Sequence, residues 1–171
     1  EERRAGIRVD KTYDLGIWWT GATSRRDTLF RIPAGAIPLG PETLAAKSLA
    51  NYRTLHRTYR SDPMLQEVHD RWPMVAIWDD HEFSDDSWGA TATYFDGRTD
   101  EYDVERKQNA ERAFYEWVPI DVGLDQDGDL DLSAAVLYPN AMIYRDLIYG
   151  SNLHLVLTDL RNFRQDHLIR E

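Results

Sequence analysis

No cysteine occurs among the 171 residues, which excludes disulfides and thiol chemistry and leaves the redox compartment open. Lysine is scarce too: only Lys11, Lys47 and Lys107 are present, and the remaining positive charges are arginines. Basic residues are outnumbered, 20 against 30 Asp and Glu, for a formal net charge of −10 and a pI of about 4.9. Non-specific nucleic-acid binding needs a basic surface, so that class is excluded on charge. No apolar run is long enough to span a membrane, and no signal-peptide pattern is found. The chain opens at Glu1 without a starting Met, so it is expected to be a piece of a longer protein. Repeats and low-complexity segments are also missing. What remains is 42% hydrophobic and 12% aromatic, enough for the core of one domain.

The chain centres on Ile77-Trp78-Asp79-Asp80-His81-Glu82. The preceding apolar run, from Pro73 to Trp78, reads as a short buried strand, about residues 74–78, of an α/β sheet. Ligands of open α/β sheets bind beyond the carboxyl ends of strands. Two adjacent carboxylates in a low-dielectric crevice repel each other until one takes up a proton, and a cation removes that conflict. Carboxylate oxygens suit calcium, magnesium or manganese, and the His nitrogen widens the choice to iron or zinc. The plainer alternative is a polar loop in which Asp80 caps a helix and His81 is exposed. Asp85 and Asp86 either extend the site or cap a loop, with Asp86 favoured as the residue that shapes it.

Elsewhere the pattern is local and readable. Residues 1–40 are irregular, with Trp18 and Trp19 filling a satellite core or facing a substrate. The helical spacing of Ala45, Leu49, Tyr52, Leu55 and Tyr59 predicts a helix over about 42–60, opened by Pro41. Asp62 as N-cap and Pro63 at the first helical position predict a second, short helix to about Asp70. Residues 90–100 read as a loop. Val104, Ala110, Ala113, Phe114 and Trp117 supply the buried stripe of a helix over about 100–118, ended by Pro119. The acidic run Asp125 to Asp131 fails the EF-hand spacing and reads as a solvated turn with Gly128 at positive φ. Residues 143–149 and 153–159 read as a hairpin turning at Gly150-Ser151-Asn152, with Asp159 and Arg161 approaching the crevice.

The stretch WDDHEFSDDSW at 78–88 resembles the signature of the PhoD-like alkaline phosphatases and phosphodiesterases, within the calcineurin-like metallophosphoesterases. Tyr52-Arg53 to His69, Asn109 to Pro119, and Tyr144-Arg145 to Arg164 are similar, in order, to the segments flanking that signature. The resemblance implies an α/β fold, part of a four-layer α/β/β/α sandwich, with residues 1–171 forming an incomplete catalytic domain. It implies hydrolysis of phosphoesters by a metal-activated water. It implies Asp80 as a metal ligand, with Asp79 and Glu82 beside it, and His81 as the group that contacts the phosphate or the leaving oxygen. Arg161 and Arg53 are candidates for binding the phosphate, or for structural ion pairs. The implied cofactor is calcium with iron or another transition metal, and the implied location is extracellular or periplasmic. The family's earlier Gly-Asp motif is absent upstream of residue 78 and its later His motif would fall beyond Glu171, so this piece alone is expected to be inactive. The alternatives are a non-catalytic calcium- or partner-binding domain of the same fold, or a phospholipase D-type phosphodiesterase. Oligomeric state is left open.

Overall fold

The first helix among the described residues, α1 (Leu49–Arg60), is capped by Ser48 and so begins later than the expected 42–60. Ser48 makes a reciprocal capping box with Asn51. The Ser48 hydroxyl accepts from Asn51 N–H, and the Asn51 amide oxygen accepts from the Ser48 and Lys47 N–H groups at 3.2 and 3.1 Å. These side chains satisfy donors that a helix N-terminus otherwise leaves open. Ala45, expected inside the helix, instead sits in a two-residue strand, β2 (Leu44–Ala45), paired antiparallel with β1 (Ile37–Pro38). The structure, a computed structural model, describes residues 35–38, 44–92 and 100–166. The readings of Trp18, Trp19 and Pro41, and most of the loop expected at 90–100, lie outside them.

The second helix, α2 (Pro63–Arg71), follows the expectation closely: the Asp62 carboxylate accepts from Met64 and Leu65 N–H. Two more short strands, β3 (Thr91–Ala92) and β4 (Glu101–Tyr102), pair antiparallel and lead into α3 (Val104–Trp117), capped by Asp103. Gly128 turns at φ 85°, and the Asp125 carboxylate accepts from the N–H groups of Asp127 and Asp129. That carboxylate closes its own turn. The hairpin of β5 (Arg145–Tyr149) and β6 (Leu153–Leu157) runs antiparallel with Tyr149 opposite Leu153, and Gly150 takes φ 61°. The architecture is thus mixed, with helices and small two-stranded sheets. No helix of the described residues is long and apolar enough to cross a membrane.

The expected strand over 74–78 does not form. Among the described residues, no strand pairs with it, and Val75 and Ile77 remain 42% and 39% exposed. An apolar run becomes a strand only where a neighbour supplies the ladder. Here a side chain substitutes in part: Arg145 donates to the carbonyls of Ala76 and Ile143 at 2.7 and 2.9 Å. The segment is anchored at its end, where Trp78 is buried.

Two apolar clusters flank α3. One joins Tyr52 and Leu55 of α1 to Phe83, Ala110 and Ala113, and the two alanines let α1 and α3 approach closely. The other joins Trp78, Phe114, Tyr115, Leu137 and Ile143. The acidic motif therefore bridges two cores, with Trp78 in one and Phe83 in the other.

His56 is buried on α1, its ring stacked on Trp117 at 6.4 Å. Burial first, and then the Arg60 charge, lower its pKa from 6.5 to about 4. Between those values the unfolded chain binds the proton and the folded protein does not. Stability supplied by neutral His56 is therefore present above pH 6.5 and lost as pH falls to about 4, at most about 3 kcal/mol. An NMR titration of the His56 ring is expected to show a midpoint near 4; a midpoint near 6.5 would refute burial of the neutral form.

Candidate metal and phosphate site

Beyond Trp78 the chain closes a tight turn, with the N–H groups of Phe83 and Ser84 both donating to the Asp80 carbonyl at 2.8 and 2.9 Å. That turn folds Asp80, His81 and Asp85 onto one side. The His81 Nε2 lies 3.7 Å from Asp80 Oδ2 and 3.2 Å from Asp85 Oδ1. One ligand atom from each of the three residues falls within 4.8 Å of the others. Asp80 is buried, while His81 and Asp85 are partly exposed, so the group opens to solvent on one side. Asp80 caps no helix.

Asp86 completes the turn at φ 42°, a left-handed conformation that Asp tolerates better than most residues. Its N–H donates to Asp80 Oδ2 at 2.6 Å, fixing the carboxylate from behind. Asp86, expected to shape the site, thus lies directly against the Asp80 carboxylate. Asp85, weighted below it on sequence, is the residue that reaches His81. Gly89 closes the loop. Its N–H donates to the Arg161 carbonyl at 2.8 Å, and with φ at 53° a Cβ there would stand 3.0 Å from Tyr138 Oη.

Arg161 enters from the segment after β6. Its guanidinium contacts Asp79 at 2.5 Å, Asp86 at 3.0 Å and Asp80 at 3.4 Å. Its turn is set by Asp159, whose Oδ1 accepts from the N–H groups of Arg161 and Asn162. Arg164 adds a second guanidinium 3.4 Å from Asp86. The expected approach of Arg161 to Asp80 is therefore present. Asp79 is mostly exposed and joins the group through Arg161.

Glu82 and Arg53 do not join it. The Glu82 carboxylate turns back to accept from Asp79 N–H at 2.9 Å. Burial raises its pKa to about 7, against the downward pull of that hydrogen bond. Arg53 forms a two-pronged pair with Glu116 of α3, the structural alternative its sequence position allowed. Tyr52, its neighbour, has a more direct bearing on the motif. The Tyr52 hydroxyl donates to the Phe83 carbonyl at 2.9 Å in a buried setting. Tyr52→Phe is expected to cost roughly 1–3 kcal/mol by orphaning that carbonyl, read as a lower urea midpoint with unchanged m-value; an unchanged midpoint would show the bond contributes nothing.

A family model described as PhoD-like phosphatase matches residues 24–170. Alkaline phosphatase D of Bacillus subtilis (strain 168) is 31% identical over 119 residues, which are 70% of this chain and 18% of that protein. A solved structure described as "Structure of PhoD" has a TM-score of 0.54 at 30% identity, covering 72% of this chain and 22% of that one. This chain thus spans roughly a fifth of the length of the relatives it matches.

Proposed function

This chain belongs to the PhoD-like phosphatase family, and on that premise we propose that the whole protein is a metal-dependent phosphoesterase whose cation is held in part by this chain's acidic turn. The observation that carries the reading is the convergence of Asp80, His81 and Asp85 within 4.8 Å, with Arg161 alongside. The donor set fits a cation: the two carboxylates offer hard oxygens, which calcium and iron both accept. Calcium with iron or another transition metal is the cofactor that the family resemblance implies.

Asp80 and Asp85 are the residues that would hold the cation. A bound cation would supply Lewis acidity and a nucleophilic water at neutral pH. Asp86 and Arg161 keep Asp80 oriented. His81, with Nε2 beside both carboxylates, is placed to steady or protonate the oxygen that leaves phosphorus. The Arg161 guanidinium supplies the forked donors that phosphate oxygens accept. Asp79 and Glu82 support the turn, Glu82 through its bond to Asp79 N–H. Arg53 keeps its structural pair.

The larger context is part of the same proposal. Residues 1–171 form an incomplete catalytic domain within a four-layer α/β/β/α sandwich, and the protein works outside the cytoplasm, extracellular or periplasmic. Both rest on the family resemblance.

The test is hydrolysis by the full-length protein, stripped of metal and reloaded separately with calcium, manganese and iron. Substrates are a phosphomonoester, a phosphodiester and a phosphatidyl ester. Hydrolysis only in the metal-loaded protein is the expected result, and the preferred ester decides between phosphatase and phospholipase-type action. Metal binding without hydrolysis of any ester would favour a non-catalytic binding domain and overturn the proposal.

A further inference from the structure

Behind the acidic turn lies a buried ion pair outside the reaction chemistry assigned above. Lys107 and Glu111, one helical turn apart on α3, are 3% and 2% exposed, with Nζ 3.7 Å from Oε1. A buried pair of this kind gains little stability over well-packed apolar residues, because removing two charges from water is costly. Its contacts suggest another use. The Lys107 ammonium stands 5.2 Å from the ring centres of both Trp78 and Phe83, within the range of attraction between a cation and an aromatic face. Those two rings bracket Asp79 to Glu82. Glu111 faces the other way. Its Oε1 accepts from Asn162 Nδ2 at 3.2 Å, and its Oε2 accepts from Tyr138 N–H at 2.6 Å. Asn162 adjoins Arg161, and Tyr138 packs over Gly89. Asp159, whose carboxylate sets the Arg161 turn, adds a second negative charge toward Lys107.

We propose that the Lys107–Glu111 pair is a positioning bracket: Lys107 holds the turn that carries Asp80, Glu111 holds the segment that carries Arg161, and the pair fixes the distance between them. The inference rests on the phosphoesterase reading for its catalytic consequence, but its structural part stands apart from that reading. Neither residue belongs to the Asp80, His81 and Asp85 group.

The test uses the full-length protein and the double variant Lys107→Met, Glu111→Leu. Replacing both charges avoids leaving one buried and unpaired. Two readouts are taken: kcat at saturating metal and substrate, and hydrogen exchange at the amides of Asp86 and Gly89. Those amides report the turn's hold on Asp80 and its closure on Arg161. The expected result is a variant that still unfolds cooperatively, though at a lower temperature because Tyr138 N–H and the Asn162 amide lose their acceptor, exchanges at Asp86 and Gly89 at least tenfold faster with the β5–β6 hairpin unchanged, and has kcat lower by roughly ten- to a hundredfold. The double variant Lys107→Met, Glu111→Gln, which keeps the shape of the Glu111 side chain and an oxygen for Tyr138 N–H, gives the same changes in smaller measure and replaces the first should that fail to fold. Unchanged exchange at both amides overturns the bracket, whatever happens to the rate. Faster exchange with full kcat overturns its positioning role. A wild-type protein that hydrolyses no ester would sink the phosphoesterase reading instead, and exchange alone would then decide the bracket.

Discussion

Asp80→Asn in the full-length protein is expected to lose metal and at least about a thousandfold in phosphoester hydrolysis, with little loss of stability. The two effects separate because of what surrounds this carboxylate. Asn keeps an oxygen that accepts the Asp86 N–H, so the turn stays closed. The variant also leaves Arg161 with Asp79 and Asp86 as partners. What disappears is the buried negative charge of the Asp80, His81 and Asp85 group. A ligand of that kind contributes charge, orientation and water activation together. A loss of about 4 kcal/mol of transition-state stabilisation corresponds to about a thousandfold in rate. His81→Ala is the contrast: metal content should hold while turnover falls roughly 10²–10⁴-fold, the range for one acid/base group. Metal content and rate are measured on the same preparations. If Asp80→Asn keeps its metal and its activity, Asp80 is not a ligand.

Arg161→Met should act on stability and on rate, and added metal should restore only the first. Removing the guanidinium leaves Asp79, Asp80 and Asp86 without their shared partner. Breaking a buried ion pair costs about 3–5 kcal/mol. Asp79 is largely exposed, so solvent screens its share and the expected loss is nearer roughly 2–3 kcal/mol. A divalent cation bound by Asp80 and Asp85 stabilises the folded state by mass action, about 2.7 kcal/mol at a hundred times its Kd. The melting temperature of the variant should therefore rise more steeply with metal than that of the wild type. Hydrolysis should remain at least roughly a hundredfold down, because the phosphate oxygens have lost a forked, charged donor. Recovery of both stability and rate on adding metal would reduce Arg161 to a structural role.

The elements legible from sequence were those set by neighbours along the chain. Asp62-Pro63 starts α2 because a cap and a fixed φ are local properties. The 125–131 turn and the β5–β6 hairpin follow from glycines at positive φ and from alternation. The stretch 73–78 depends instead on what lies beside it. Its composition suits a strand, but a ladder needs a partner, and partnership is not written in the run itself. The same holds for the helix over 42–60. Periodicity included Ala45, while the actual start was decided by the Ser48–Asn51 capping box.

The site divides in the same way. Asp80, His81 and Asp86 stood out because they cluster in sequence, and Arg161 because it follows the hairpin. Asp85 stands out less in the sequence; its position four residues after His81, within one tight turn, is the signal that it can face the imidazole. Lys107 gave none. A lysine on a helix is usually solvated, and its burial between Trp78 and Phe83 arises only when the two cores meet at α3.

Anomalous diffraction from crystals of the full-length protein, loaded with manganese or iron, tests the central claim most directly. The account predicts an anomalous peak about 2.0–2.6 Å from a carboxylate oxygen of Asp80, with Asp85 also in contact. A fully occupied metal elsewhere in the protein, with Asp80 still held by Arg161 and Asp86 and no peak beside it, would contradict it.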